Sequence, residues 1–133
     1  MSQTSFSFRY ALPAILWALL LFFLSSLPSN SVPSLGIEYE DLVAHFVVYS
    51  VLGYFLAIAF LHQPERITRK TIVLAALLGI LYGASDEIHQ MFVPGRNSTL
   101  SDFVADGLGV LVGVVVFLRY PAIFKMLRDK VFA

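Results

Sequence analysis

TIVLAALLGILYGASDEIHQMF, residues Thr71–Phe92, is the stretch whose reading decides the fold. It is apolar as far as Gly83, and then Asp86, Glu87, His89 and Gln90 crowd its end. A helix rises about 1.5 Å per residue, so about 20 such residues cross the hydrocarbon core of a bilayer. Thr71–Phe92 reads as one crossing with its polar groups near one surface. Downstream, VPGRNST breaks the pattern before a second apolar run, Ser101–Tyr120, which stops at RYP. Upstream, HQPERITRK separates it from Leu42–Leu61, and SSLPSNSVPSLG separates that run from Tyr10–Leu27. Charges and helix breakers bound each run, and the connections are short.

Composition agrees. Of 133 residues, 58% are hydrophobic and 14% charged, too little charge to clothe a soluble domain of this size. The first run lacks a basic n-region and a small-residue cleavage site, and it reads as a retained helix. The expectation is an all-α polytopic membrane protein: four transmembrane helices and one domain over residues 1–133. The tail, 121–133, mixes Ile123, Phe124, Met126, Leu127, Val131 and Phe132 with bases and reads as a short helix on the membrane surface. Cysteine is absent, so disulfides and thiolate metal sites are excluded, and any metal ligands are His or carboxylate. Zero formal charge and the lack of a basic run argue against nucleic acid as a partner; the bilayer is the partner that composition implies.

Arg9, Arg66, Arg69, Lys70, Arg119, Lys125, Arg128 and Lys130 fall on one side of the four runs, and Arg96 alone on the other. Positive residues favour the cytoplasm, so both termini are expected inside. The acids do the reverse: Glu38, Glu40, Asp41, Asp86, Glu87, Asp102 and Asp106 lie in or beside the outward connections.

Spacings of three and four put side chains on one helix face. Asp41, His45 and Tyr49 align on the second run, Gly79, Gly83, Asp86 and Gln90 on the third, with Tyr82, Asp86 and His89 overlapping. Asp102, Asp106, Gly109 and Gly113 align on the fourth. GILYG and GVLVG are GxxxG pairs of the kind that admit close helix approach in lipid. If the two small-residue stripes face each other, Asp86 and Gln90 approach Asp106 and Asp102. A plainer reading competes for some acids. Asp102 and Asp41 suit the first turn of a helix, where negative charge meets the positive dipole end, with Thr99 or Ser98 as the N-cap of the fourth run. Arg96 serves as a turn residue that reaches headgroup phosphate, while Glu38 and Glu40 read as solvated loop charges. Asp86 and Asp106 resist that reading. A carboxylate near a helix C-terminus opposes the dipole, and ionisable groups more than a turn deep cost on the order of 3 kcal/mol unless they face a protein interior or water.

EDLVAHFVVYSVLGYFL and LYGASDEIHQMFVPGRNSTLSDFVADGLGVLVG together resemble the VanZ-like family of small bacterial membrane proteins, over roughly Ser25–Gly113. The family pattern has an acid four before a His, a D-E-x-H-Q-x-F-x-P-G-R run, and D-x-x-x-N-x-x-G-x-x-x-G. These fall on Asp41 and His45, on Asp86, Glu87, His89, Gln90, Phe92, Pro94, Gly95 and Arg96, and on Asp102, Asp106, Gly109 and Gly113. Two departures make this chain more acidic: Leu42 stands where the family has Lys, and Asp106 where it has Asn. The family takes its name from a member associated with teicoplanin resistance. The resemblance therefore implies a link to the cell envelope and to glycopeptide antibiotics, which act on outward-facing cell-wall precursors.

The expected site gathers Asp41, His45, Asp86, His89 and Asp102 around one outward-opening cavity, with Gln90 beside them, Glu87 or Asp106 behind and Arg96 at the mouth. So many acids against one Arg require protonation, charged His45 and His89, or a bound cation. Two functions fit. One is a module that binds a cell-envelope ligand, such as a cell-wall precursor in the outer leaflet. The other is a membrane-embedded enzyme acting on a lipid-linked or cell-wall substrate, with Asp41, His45, Asp86, Glu87 and His89 as catalytic candidates. A divalent metal is its implied cofactor, with His45, Asp86, His89 and Asp102 as metal candidates and Mn, Zn and Mg all open.

Overall fold

The computed structural model describes residues 8–131. Five α-helices follow in order: α1 (Phe8–Ser25), α2 (Glu40–Leu61), α3 (Arg69–Gln90), α4 (Leu100–Arg119) and α5 (Pro121–Val131), with short 3-10 turns at Ser29–Ser31 and Pro64–Arg66. No strand occurs among the described residues. The first four helices are each long and apolar enough to cross a membrane.

The helix ends differ from the expected runs by at most two residues, and the capping groups explain the shift. Thr68 caps α3 reciprocally with Thr71, moving its start back to Arg69. The Thr99 hydroxyl accepts from the Asp102 backbone N–H at 3.2 Å and starts α4 at Leu100. Glu40 and Asp41 fall in the first turn of α2, where the helix dipole favours them. The α1 helix runs from Phe8 and ends at Ser25 rather than Leu27; Pro28, which has no N–H to give, follows shortly. The tail forms a helix that begins on Pro121, whose missing N–H is harmless at that position. Its Phe124 is buried against Phe117; Phe132 lies outside the described residues.

Successive helices run up and down, and α2 and α4 make the tightest pair. A Cβ at Gly109 would strike the Phe46 carbonyl, one at Gly113 the Ser50 carbonyl, and one at Gly53 the Val110 carbonyl. Only hydrogen fits there, so the two backbones touch. This corrects the expected facing of the two glycine stripes. Gly109 and Gly113 of α4 lie on α2, not on α3. The α3 glycines instead receive α4 side chains: Gly79 accommodates Val110, and Gly83 lies against Asp106, where an added Cβ would come 3.0 Å from Asp106 Cβ. The α1 helix is attached differently, through long polar side chains. Trp17 donates to the Val48 carbonyl at 2.9 Å and Tyr82 to the Ala18 carbonyl at 2.6 Å.

At the basic end, Tyr10, Ala57, Ile58, Leu61, Val114, Phe117 and Phe124 form one apolar cluster. His62 stacks on Tyr10 there with ring centroids 4.0 Å apart, and burial, with Arg66 and Arg9 nearby, holds its imidazole below the ordinary histidine value. A second cluster around Leu21, Tyr49, Leu52 and Val110 lies beneath the acidic end. Leu16, Leu19, Phe23, Leu81, Leu108 and Val115 stay exposed along the spans, the surface a lipid-facing bundle presents.

Candidate functional site

The acidic end collects the C-terminus of α1, the N-terminus of α2, the C-terminus of α3 and the N-terminus of α4. At its centre, His45 Nδ1 is hydrogen-bonded to Asp106 Oδ1 at 2.8 Å and lies 3.6 Å from Glu87 Oε1. One residue comes from each of α2, α3 and α4. Asp106 is fully buried, and Gly83 opposite is what admits it between the helices. Ser98 donates to Glu87 Oε2 at 2.7 Å, leaving Oε1 on the His45 side. Asp86 stands next along α3. It accepts from the Tyr49 hydroxyl at 3.0 Å and from the Gln90 amide at 3.3 Å, both on Oδ2.

Three buried carboxylate oxygens, Asp86 Oδ1, Glu87 Oε1 and Asp106 Oδ2, have no hydrogen-bond partner. Unsatisfied buried acceptors each cost about 1–3 kcal/mol, more when charged. A partner that carries positive charge or a donated proton is what this group of oxygens can hold.

Two adjoining cavities open beside this group; they reach His45 and Asp86, while Glu87 and Asp106 pack behind His45 and line neither. One, about 190 Å³, is walled by Ser34, Glu40, Asp41, His45, Gln90, Arg96, Asn97 and Asp102. The other, about 160 Å³, reaches down between α1, α2 and α3 to Tyr49 and Asp86 and shares Asp41, His45, Gln90 and Arg96 with the first. Asp41 is exposed into both. Asp102 is buried, with Thr99 donating to its Oδ2 at 2.6 Å, so it serves the α4 cap while lining the first cavity. Arg96 borders both cavities, but its guanidinium donates to the Leu24 and Leu27 carbonyls at 3.0 Å each. It closes the orphan end of α1 rather than facing the acids.

Of the expected cavity set, Asp41, His45, Asp86, Gln90, Asp102 and Arg96 come together. His89 does not: its Nε2 is 3.0 Å from Ser26 Oγ and its ring packs on Phe22, against α1. Glu87 and Asp106, expected behind the site, form its centre with His45. Of the expected metal set of His45, Asp86, His89 and Asp102, His45 alone belongs to the converging group: among the described residues, His45, Glu87 and Asp106 have ligand atoms within 4.8 Å of one another. Two residues read from sequence as structural enter the site. Tyr49 shares the Asp41–His45 helix face, a signal that was there to use; Ser98 lies in a loop, where no periodicity points to it.

No curated protein and no solved structure matches the chain. The VanZ/LLP1 family model matches residues 10–125, a span that takes in all four long apolar helices and every residue of the acidic site. The chain belongs to the VanZ/LLP1 family and is a multi-pass membrane protein.

Proposed function

We propose that the paired cavities bind a cell-envelope ligand presented in the outer leaflet, through a cationic or hydrogen-bond-donating group that reaches the unpaired carboxylate oxygens. The observation that carries this reading is an opening lined by Asp41 that reaches down to Asp86, whose Oδ1 is buried without a partner, with the unpartnered oxygens of Glu87 and Asp106 packed close by. A lipid-linked cell-wall precursor is the ligand class that fits a polar pocket at a membrane surface, and the family's association with glycopeptide resistance supports it. The basic end faces the cytoplasm of the bacterial inner membrane in this reading, with α5 along the inner surface.

Two measurements test it. Reporters placed after Ala133 and beside Arg66 should both read cytoplasmic, and one beside Asn30 should read outside; any reversal removes access to the outer leaflet. Protein in lipid nanodiscs should bind a lipid-linked cell-wall precursor, seen by native mass spectrometry. Asp41→Asn should weaken that binding at least about ten-fold, equivalent to about 1.4 kcal/mol, with the melting temperature unchanged. Equal binding by wild type and Asp41→Asn, or none by wild type, overturns the reading. A metal-dependent enzyme acting on such a precursor is the second reading, favoured by the convergence of His45 with two carboxylates; turnover of the bound precursor selects it.

A further inference from the structure

Three helices deliver one ligand atom each to a single point beneath the first cavity. We infer that His45 Nδ1, Glu87 Oε1 and Asp106 form a site for one divalent transition-metal ion of the Zn or Mn class. This deepens the pocket reading above, since the ion would sit at the pocket's inner end.

Spacing is the first support. Metal–ligand bonds of about 2.0–2.2 Å put neighbouring donor atoms about 3 to 3.5 Å apart in octahedral or tetrahedral coordination. The observed separations from His45 Nδ1, 2.8 Å to Asp106 and 3.6 Å to Glu87, bracket that range. Small side-chain rotations suffice to close on an ion.

Unpaired oxygens are the second and independent support. Glu87 is 6% exposed and its Oε1, the oxygen that approaches His45, has no partner; Asp106 is 0% exposed, with Oδ1 on His45 and Oδ2 unpartnered on the Gly83 side. The Ser98 hydroxyl holds the other Glu87 oxygen, the kind of outer hydrogen bond that fixes a ligating carboxylate. Charge balance points the same way. Asp86 and Asp102 are buried carboxylates near the pair, and Arg96 turns its guanidinium to the end of α1. One divalent ion neutralises two of the four acids. An imidazole ligand with carboxylates favours Zn or Mn over Mg or Ca, which prefer oxygen alone. Three protein ligands leave a coordination position open, and the cavity that reaches His45 gives access to it.

The test uses detergent-purified full chain and the metals alone. Wild type titrated with Zn²⁺ or Mn²⁺ should bind one ion per chain and retain it through desalting in excess Mg²⁺. Glu87→Gln should weaken binding at least about 100-fold. Ser98→Ala should weaken it about ten-fold through looser positioning of Glu87. Glu65→Gln, exposed at the opposite end of the bundle, should leave it unchanged. Melting curves without metal check that each variant is folded, and Ser98→Ala carries the test if Glu87→Gln is not. Folded wild type that retains no ion, or variants that retain it equally, overturns the inference. Precursor binding without metal binding sinks the metal site and leaves the pocket reading standing; metal binding without precursor does the opposite.

Discussion

Gly113→Val should leave little folded protein. The new Cβ would lie within bonding range of the Ser50 carbonyl and 2.6 Å from the Tyr54 backbone nitrogen, and neither can retreat because both belong to α2. Overpacking against movable side chains costs about 1–3 kcal/mol. Here the obstacle is backbone, so the helices must part, and separating them also pulls His45 from Asp106. A loss of more than about 3 kcal/mol is expected on that scale, seen as a collapsed monodisperse peak in size exclusion of the detergent extract. Gly107→Ala is the matched control. An added Cβ there meets only Ile80 at 3.9 Å, and relief of glycine's helix penalty should stabilise by about 0.5–1 kcal/mol. Should Gly113→Val melt like wild type, the α2–α4 contact is wrong.

Asp86→Asn should separate function from folding. Asn has the shape of Asp, and its amide oxygen can still accept from Tyr49 and Gln90 as Asp86 Oδ2 does. What disappears is the charge and the acceptor Oδ1, replaced by an N–H₂ facing the inner cavity. Precursor binding should fall at least about 100-fold, about 2.8 kcal/mol at 1.4 kcal/mol per decade, while the melting temperature shifts by only a few degrees. Equal loss of folding and binding would mean that Asp86 is a structural acid whose business ends at Tyr49.

The four spans were legible because breakers and charges bracket each one and because lipid demands a continuous apolar run. The acidic end was legible from the opposed placement of acids and bases. Which acids meet was not. At about 100° per residue, His89 is about 60° round the helix from Asp86, and Glu87 about 100° the other way. Spacing alone favours His89, but α1 lies on that flank, so His89 turns to Ser26 while α2 and α4 occupy the other and draw Glu87 inward. Helix rotation is set by packing, and the close backbone contact of Gly109 and Gly113 goes to α2. A GxxxG pair announces a close approach without naming the partner. The substitution of the family's Asn by Asp106 was visible at once, yet its full burial and its bond to His45 arise only after three helices assemble.

Mechanically, the pocket has walls of unequal stiffness. Between α2 and α4, backbone rests on backbone, and any sliding would drive a glycine Cα into a carbonyl. The α1 wall hangs on the reach of Trp17, Tyr82 and Arg96, long side chains whose torsions can change while their hydrogen bonds persist. If the pocket binds as proposed, differences in guest size should be absorbed by α1, like the sprung jaw of a clamp. The fixed jaw carries His45 and Asp106 and sets the chemistry that every guest must satisfy.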